Sequence, residues 1–142
     1  MNQFGLAFHH FGLAVRNPAA SFLYLQALGY REGRTCFDPH QRVNLSMRHH
    51  AEMPDVEVIW PGNLPSPIDK MLKSADSKIY HLCYTSRDVD ASIAAIEAAG
   101  LEVITISEPT PAPLFDGSEV SFHAISSFGI IEIINARNSH GD

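Results

Sequence analysis

Cysteines and basic residues are scarce in this chain of 142 residues. The two cysteines, Cys36 and Cys83, cannot form a disulfide framework, and they fit a reducing compartment, so we expect a cytoplasmic protein. Lys and Arg number 10 against 16 Asp and Glu, and they form no large cluster. We therefore expect neither nucleic acid nor a membrane as a partner.

Long apolar runs are missing as well. No run approaches the roughly 20 residues of a membrane-spanning helix. The first 15 residues contain no Lys or Arg, so we expect no secretory signal peptide. With 45% apolar and 18% charged residues, the composition is that of a globular domain.

An internal repeat is the most informative feature that is present. Residues 10–30, HFGLAVRNPAASFLYLQALGY, align without a gap to residues 81–101, HLCYTSRDVDASIAAIEAAGL. Six positions of this alignment are identical at an offset of 71 residues, which is far more than chance predicts. The chain therefore contains a duplicated supersecondary unit.

Each copy predicts a strand, a helix and then three strands. Asn17 and Asp88 are placed to accept hydrogen bonds from the first helical turns, and Gly29 and Gly100 are placed to end the helices. The predicted strands are residues 8–15, 30–37, 42–48 and 55–60 in the first copy and 79–85, 101–107, 118–125 and 129–135 in the second.

The chain is thus predicted to be a single domain, residues 1–142, built from two βαβββ modules. Module one covers about residues 7–60 and module two about 79–135. The linker between them, 61–78, is predicted to contain one helix that begins after Ser66.

One His and one Glu occur at equivalent places in the two modules. His10 and His81 lie on the first strands, while Glu57 and Glu132 lie in the apolar centres of the last strands. Pseudo-twofold packing would bring these four residues together. Because an unpartnered buried carboxylate costs several kcal/mol, a divalent ion is a suitable partner, and this donor set suits Mn²⁺, Co²⁺, Fe²⁺, Ni²⁺ or Zn²⁺. Each residue taken alone is also compatible with an ordinary core histidine or a solvent-facing glutamate.

The remaining candidates are weaker. His9 is expected to face away from its neighbour His10, and His49 and His50 are expected at the surface near a strand end. The sequence does not decide whether His123 faces the site. Cys83 is expected to be a small buried apolar residue.

Three segments resemble the vicinal oxygen chelate superfamily, which has the glyoxalase fold, and within it the methylmalonyl-CoA epimerase-like proteins. They are HHFGLAV, IYHLCYTSRDVDASIAAIEAAG and GIIEIIN, and VEVIWPGNLPSPIDKML is similar to the superfamily's segment between modules. The resemblance covers about residues 7–135. It implies an α+β fold in which two βαβββ modules form one curved mixed sheet, with metal ligands at His10, Glu57, His81 and Glu132.

The resemblance also implies an activity. It indicates a metal-dependent isomerase or lyase that removes a proton next to a carbonyl of a small oxo or acyl-thioester substrate, with Glu132 as the catalytic base. The epimerases carry a second glutamate in the third strand, where this chain has Asn44. An amide cannot shuttle a proton, so Asn44 is a candidate for hydrogen bonding to a carbonyl or enolate oxygen.

The superfamily further implies a homodimer in which each chain holds a complete site. Two alternative functions remain open. One is a non-catalytic small-molecule or antibiotic-binding protein of the same fold, a group that commonly lacks the metal residues. The other is a dioxygenase, a group that generally uses two His, one Glu and iron.

Overall fold

The computed structural model describes residues 2–137, and the chain divides into two compact units. Unit one contains His10–Tyr80, and unit two contains Met1–His9 together with His81–Asp142. The elements are β1 (Ala7–Val15), α1 (Pro18–Ala27), β2 (Arg31–Asp38), β3 (Val43–His49), β4 (Val56–Pro61), β5 (Ser77–Ser86), α2 (Val89–Ala98), β6 (Val103–Pro111), β7 (Glu119–Ile125) and β8 (Gly129–Asn135).

The strands follow the same order in both units. In unit one, β2, β3 and β4 are antiparallel neighbours, and β4 pairs in parallel with β1. In unit two, β6, β7 and β8 are antiparallel neighbours, and β8 pairs in parallel with β5. The predicted βαβββ order and the α+β class are therefore confirmed. The single domain expected over residues 1–142 stays a prediction, and its ends lie outside the described residues.

Each helix covers one face of its own strands. In unit one, Leu25 and Phe22 of α1 pack against Val15, Val56 and Val58. In unit two, α2 makes the equivalent contact with its own sheet through the apolar residues Ile93, Ile96, Ile131 and Ile133. We call this covered side the helix face of each unit and the other side the open face.

The helix ends follow from the residues that flank them. Asn17 accepts a hydrogen bond from the Ala19 N–H at 3.1 Å, and Asp88 accepts one from the Ala91 N–H at 3.0 Å. Gly29 and Gly100 have φ angles of 99° and 89°, which glycine adopts without steric cost. Both predicted caps and both predicted helix ends are therefore confirmed.

The linker differs from its prediction. A helix beginning after Ser66 is not formed; the chain makes turns there and then a 3₁₀-helix over Met71–Lys73. The Asp69 carboxylate accepts hydrogen bonds from the N–H and hydroxyl of Ser66 at 2.9 and 3.0 Å. This is the pattern of a helix N-cap, so a helical start is capped at Ser66 as predicted, but it continues only to the 3₁₀-helix. The guanidinium of Arg16 donates to the Leu72 carbonyl and so satisfies one end of the 3₁₀-helix.

Among the described residues, no helix is long and apolar enough to cross a membrane.

His123 of β7 is buried on the helix face of unit two. Its ring nitrogens lie 2.9 Å from the Thr105 hydroxyl and 2.8 Å from the Ser121 hydroxyl. Burial lowers the pKa of His123 because the charged imidazolium is poorly solvated there. The two hydroxyls can serve one acceptor and one donor nitrogen, so the neutral ring is fully satisfied.

The lowered pKa predicts a loss of stability in mild acid. Above about pH 6.5 His123 is neutral in both states, and as the pH falls below that value the unfolded chain binds the proton first, so stability is lost. The free energy of unfolding of the parent should therefore fall more steeply than that of His123→Gln between about pH 7 and pH 5. Urea denaturation measures this, with the exposed His40→Gln as control. Parallel pH dependence of the parent and His123→Gln would contradict the assignment.

Candidate metal centre

In unit one, the open face carries His10 and Glu57. Gly12 of β1 is the pairing partner of Glu57 of β4, so alternation puts His10 and Glu57 on the same side of these neighbouring strands. His10 has 0% and Glu57 3% of its surface exposed. The distance from His10 Nε2 to Glu57 Oε1 is 3.7 Å.

In unit two, the open face carries His81 and Glu132. Cys83 of β5 is the pairing partner of Glu132 of β8, which again places the histidine and the glutamate on one side. Both side chains are buried, and His81 Nε2 lies 3.1 Å from Glu132 Oε1. The ring of Phe122 packs edge-to-face on the His81 imidazole, with centroids 5.5 Å apart.

The two pairs are equivalent in register as well as in sequence. In each unit the residue two places after the histidine pairs with the glutamate, and these residues, Gly12 and Cys83, are related by the 71-residue offset. Each pair offers an imidazole nitrogen and a carboxylate oxygen. This donor chemistry fits a borderline divalent metal such as Mn²⁺, Co²⁺, Fe²⁺, Ni²⁺ or Zn²⁺.

Asn44 lies on the opposite side of unit one from Glu57. It pairs with Trp60, whose ring packs edge-to-face on Phe22 of α1, so Asn44 belongs to the helix face. Its amide donates to the Pro61 carbonyl at 3.3 Å. The structure therefore does not bring Asn44 to the His10–Glu57 pair, and β3 is an interior strand rather than an edge. The residue that pairs with Glu57 across β3 is Met47.

His49 and His50 have local structural roles. His49 Nδ1 lies 3.0 Å from Asp55 Oδ2, and both side chains are partly exposed. The Nδ1 atom of His50 accepts hydrogen bonds from two N–H groups of the following loop, while its Nε2 lies 3.0 Å from the Leu28 carbonyl at the end of α1. These contacts tie the loop after β3 to the helix end.

The other weak candidates are placed by packing. His9 stacks edge-to-face on Phe115 at a centroid distance of 5.5 Å. Cys83 is fully buried among apolar residues of unit two, as predicted. His123 lies on the helix face and so is separated from Glu132 by the sheet itself. Phe122 was not predicted as a site residue; its pairing with Glu132 and its ring contact with His81 place it there.

The chain belongs to the Glyoxalase/Bleomycin resistance protein/Dioxygenase superfamily, whose family model matches residues 9–122. No curated protein sequence matches the chain. The superfamily predicted from the sequence is therefore confirmed.

Solved structures share its fold. Methylmalonyl-CoA epimerase from Mycobacterium tuberculosis is 18% identical, with a TM-score of 0.73 over 90% of this chain and 86% of that one. A hypothetical protein from Bacillus halodurans is 21% identical, with a TM-score of 0.75 over 91% and 93%. A variant of Streptomyces coelicolor methylmalonyl-CoA epimerase, in complex with 2-nitronate-propionyl-CoA, is 21% identical, with a TM-score of 0.70 over 91% and 96%. The predicted glyoxalase-like α+β fold is confirmed.

The face assignment of β3 can be tested on His10 itself. Met47→Ala should shift the ring NMR signals of His10, because Met47 pairs with Glu57 on the open face. Asn44→Ala should leave those signals unchanged and cost only about 1 kcal/mol of unfolding free energy, the typical value of one hydrogen bond. A larger shift for Asn44→Ala than for Met47→Ala would contradict the register.

Proposed function

We propose that this chain is a metal-dependent isomerase or lyase that removes a proton from the carbon next to a carbonyl group. The proposed substrate class is a small oxo compound or an acyl thioester. The observation that carries the proposal is the buried His–Glu pair that recurs at equivalent register in both units. The fold shared with methylmalonyl-CoA epimerases supports the same class of chemistry.

In this proposal one divalent ion is held by both pairs together. Its ligands are His10, Glu57, His81 and Glu132, two imidazoles and two carboxylates. Each carboxylate lies in an apolar surrounding, beside Met47 in unit one and beside Phe122 in unit two, where a cation lowers the cost of its burial. When bound, the ion supplies a Lewis acid that stabilises negative charge on a carbonyl oxygen.

Glu132 is the proposed base. The superfamily resemblance assigns this role to the glutamate of the last strand, and Glu132 is the central residue of β8. Its carboxylate accepts the proton from carbon, and the His81 imidazole at 3.1 Å helps to fix its position. Phe122 and Cys83 surround it with apolar surface that excludes water.

The chemistry is proposed to use one base. The residues of β3 on the open face of unit one are Val43, Leu45, Met47 and His49. The first three cannot exchange a proton with the second side of a substrate carbon, and the His49 ring at the end of the strand lies 3.0 Å from the Asp55 carboxylate. Two-base epimerisation of methylmalonyl-CoA is therefore expected to be weak, which favours a lyase or a one-base isomerase.

Metal binding is the first test. His10→Ala and His81→Ala should each weaken binding of Mn²⁺ or Co²⁺ by at least about 10-fold, because each removes one ligand. The exposed His40→Ala is the matched control and should bind metal like the parent. Calorimetry and elemental analysis measure this, and thermal unfolding shows whether each variant is folded. Parent-like binding by His81→Ala would show that the site is misassigned.

Proton abstraction is the second test. With methylmalonyl-CoA as probe, the metal-loaded parent should exchange the carbon-bound hydrogen with deuterated water faster than it epimerises. Glu132→Gln should abolish exchange, even where saturating metal restores occupancy, while the exposed Glu97→Gln on α2 should not. Rapid epimerisation by the parent would rule out one-base chemistry. Metal binding without any exchange, tested also with an oxo thiohemiacetal, would favour the binding-protein alternative.

The proposed assembly is a homodimer in which every chain holds its own complete site. Because the sequence already contains both modules, we expect one ion per chain and no loss of dimer when the metal is removed. Light scattering combined with metal titration measures both quantities. One ion per dimer would contradict this arrangement. The cytoplasmic location expected from the low cysteine content stays a prediction.

A further inference from the structure

A β-bulge in β2 lies in the same row as Glu57. The pairing of β2 with β3 shifts between Glu32, opposite Arg48, and Thr35, opposite Ser46. Two residues, Gly33 and Arg34, therefore lie opposite the single residue Met47. Met47 is itself the pairing partner of Glu57. A row of paired positions therefore runs across β2, β3 and β4, with the bulge at one end and Glu57 at the other.

The side chain of Arg34 is directed to the open face. Its neighbour Thr35 is fixed on the helix face by a hydroxyl contact of 2.8 Å with Ser46, which pairs with Val58 of the helix-side core. Alternation then puts Arg34 on the side of Met47 and Glu57. Arg34 is exposed, whereas Met47 and Glu57 are buried.

Gly33 makes this bulge sterically possible. A Cβ atom at position 33 would lie 2.8 Å from the Met47 carbonyl oxygen and 2.5 Å from His49 Nε2. Both distances are shorter than real contacts, and the carbonyl belongs to the backbone. Bulges commonly redirect a side chain beside an active site, and here the redirected side chain is a guanidinium.

Cys36 is the next residue of β2 after Arg34 on the open face, because Thr35 between them is on the helix face. Burial is the main cause that raises the pKa of the Cys36 thiol, Arg34 acts in the opposite direction, and Asp38 and Glu57 add to the increase. Cys36 pairs with Leu45, which is two residues before Met47 on β3 and on the same face. The strand pairing puts Arg34 of β2 and Glu57 of β4 on opposite sides of Met47 of β3.

We propose that Arg34 is a specificity residue that binds a second, anionic group of the substrate, which is therefore a small oxo acid with a distal carboxylate. The reacting carbonyl lies at the Glu57 end of the row and the distal carboxylate at the Arg34 end. This inference rests on the proposed function and narrows its substrate class.

The spacing suits such a molecule. Two interstrand steps separate the backbones of β2 and β4, which is about 10 Å, and the arginine side chain spans part of that distance. A guanidinium binds a carboxylate through two parallel hydrogen bonds, which fixes orientation as well as charge. The apolar side chain of Met47 between the two ends fits the methylene groups that join them.

The test compares two probes that differ only at the distal end. 2-Oxoglutarate and 2-oxopentanoate have the same 2-oxo acid head, but only 2-oxoglutarate has a distal carboxylate. The Mn²⁺-loaded parent should bind 2-oxoglutarate about 10-fold more tightly in calorimetry. Arg34→Gln should reduce this preference to about twofold or less, and Arg34→Lys should retain part of it.

Arg42→Gln is the matched control. It removes the same charge from the exposed turn that joins β2 and β3, and it should keep the full preference. Thermal unfolding should show that all three variants are folded. If the parent binds both probes equally, or if Arg34→Gln keeps the preference, the assignment of Arg34 is wrong.

The same measurements separate this inference from the proposed function. Metal content and deuterium exchange are recorded on the same samples. Binding of metal with exchange, but without preference between the probes, overturns the role of Arg34 alone. Absence of metal binding, together with no binding of either probe, overturns both.

Discussion

The burial of a carboxylate in each unit is the constraint on which the rest of the arrangement depends. Glu57 and Glu132 have 3% and 2% of their surface exposed, and a carboxylate that deep costs several kcal/mol unless it is compensated. A buried imidazole lies near each carboxylate, at 3.7 Å and 3.1 Å. The parallel pairing of the first and last strands of a unit puts histidine and glutamate side by side, so this pairing is the structural basis of the candidate site.

Burial of apolar side chains on the helix face offsets the cost of the two buried carboxylates on the open face. In unit one, Val15, Val56 and Val58 are almost completely buried beneath α1, and in unit two Ile131 and Ile133 are buried beneath α2. Each fully buried side chain of this size contributes roughly 1.5–3 kcal/mol. Residues of the open face and of the helix face alternate along the same strands, so a slip in register would disturb both faces.

Local signals explain why much of the fold could be predicted. Asn17, Asp88, Gly29 and Gly100 act within one helical turn of their own positions, and the repeat supplied a second copy as a check. β6 shows the limit of this reasoning, because it extends to Pro111 past the predicted end at residue 107, with shifts in its pairing to β7. Such irregular pairing is set by the neighbouring strand and leaves little trace in local periodicity.

Assigning residues to faces required information that is not local. The sequence alone left the side of His123 undecided, and Asn44 was a candidate site residue because the superfamily resemblance places a glutamate of the third strand at that position. Alternation fixes which residues share a face only within a strand, whereas the pairing of Asn44 with Trp60 depends on the loop between β3 and β4. Small polar groups are tolerated on the helix face because neighbours satisfy them, as the Thr35–Ser46 and Ser121–His123 contacts show.

The outer strands show where the duplicated units have diverged. Both units have a bulge at the same row, opposite Met47 in β3 and opposite Phe122 in β7. In unit two, the hydroxyl of Ser107 fills this position and accepts the Phe122 N–H at 3.1 Å, so the side chain is used to complete the sheet. In unit one, the same position holds the exposed guanidinium of Arg34 beside a glycine. The two units thus keep the same buried His–Glu pair at equivalent register, whereas the outer row differs between them, with a serine hydroxyl in one unit and an arginine beside a glycine in the other.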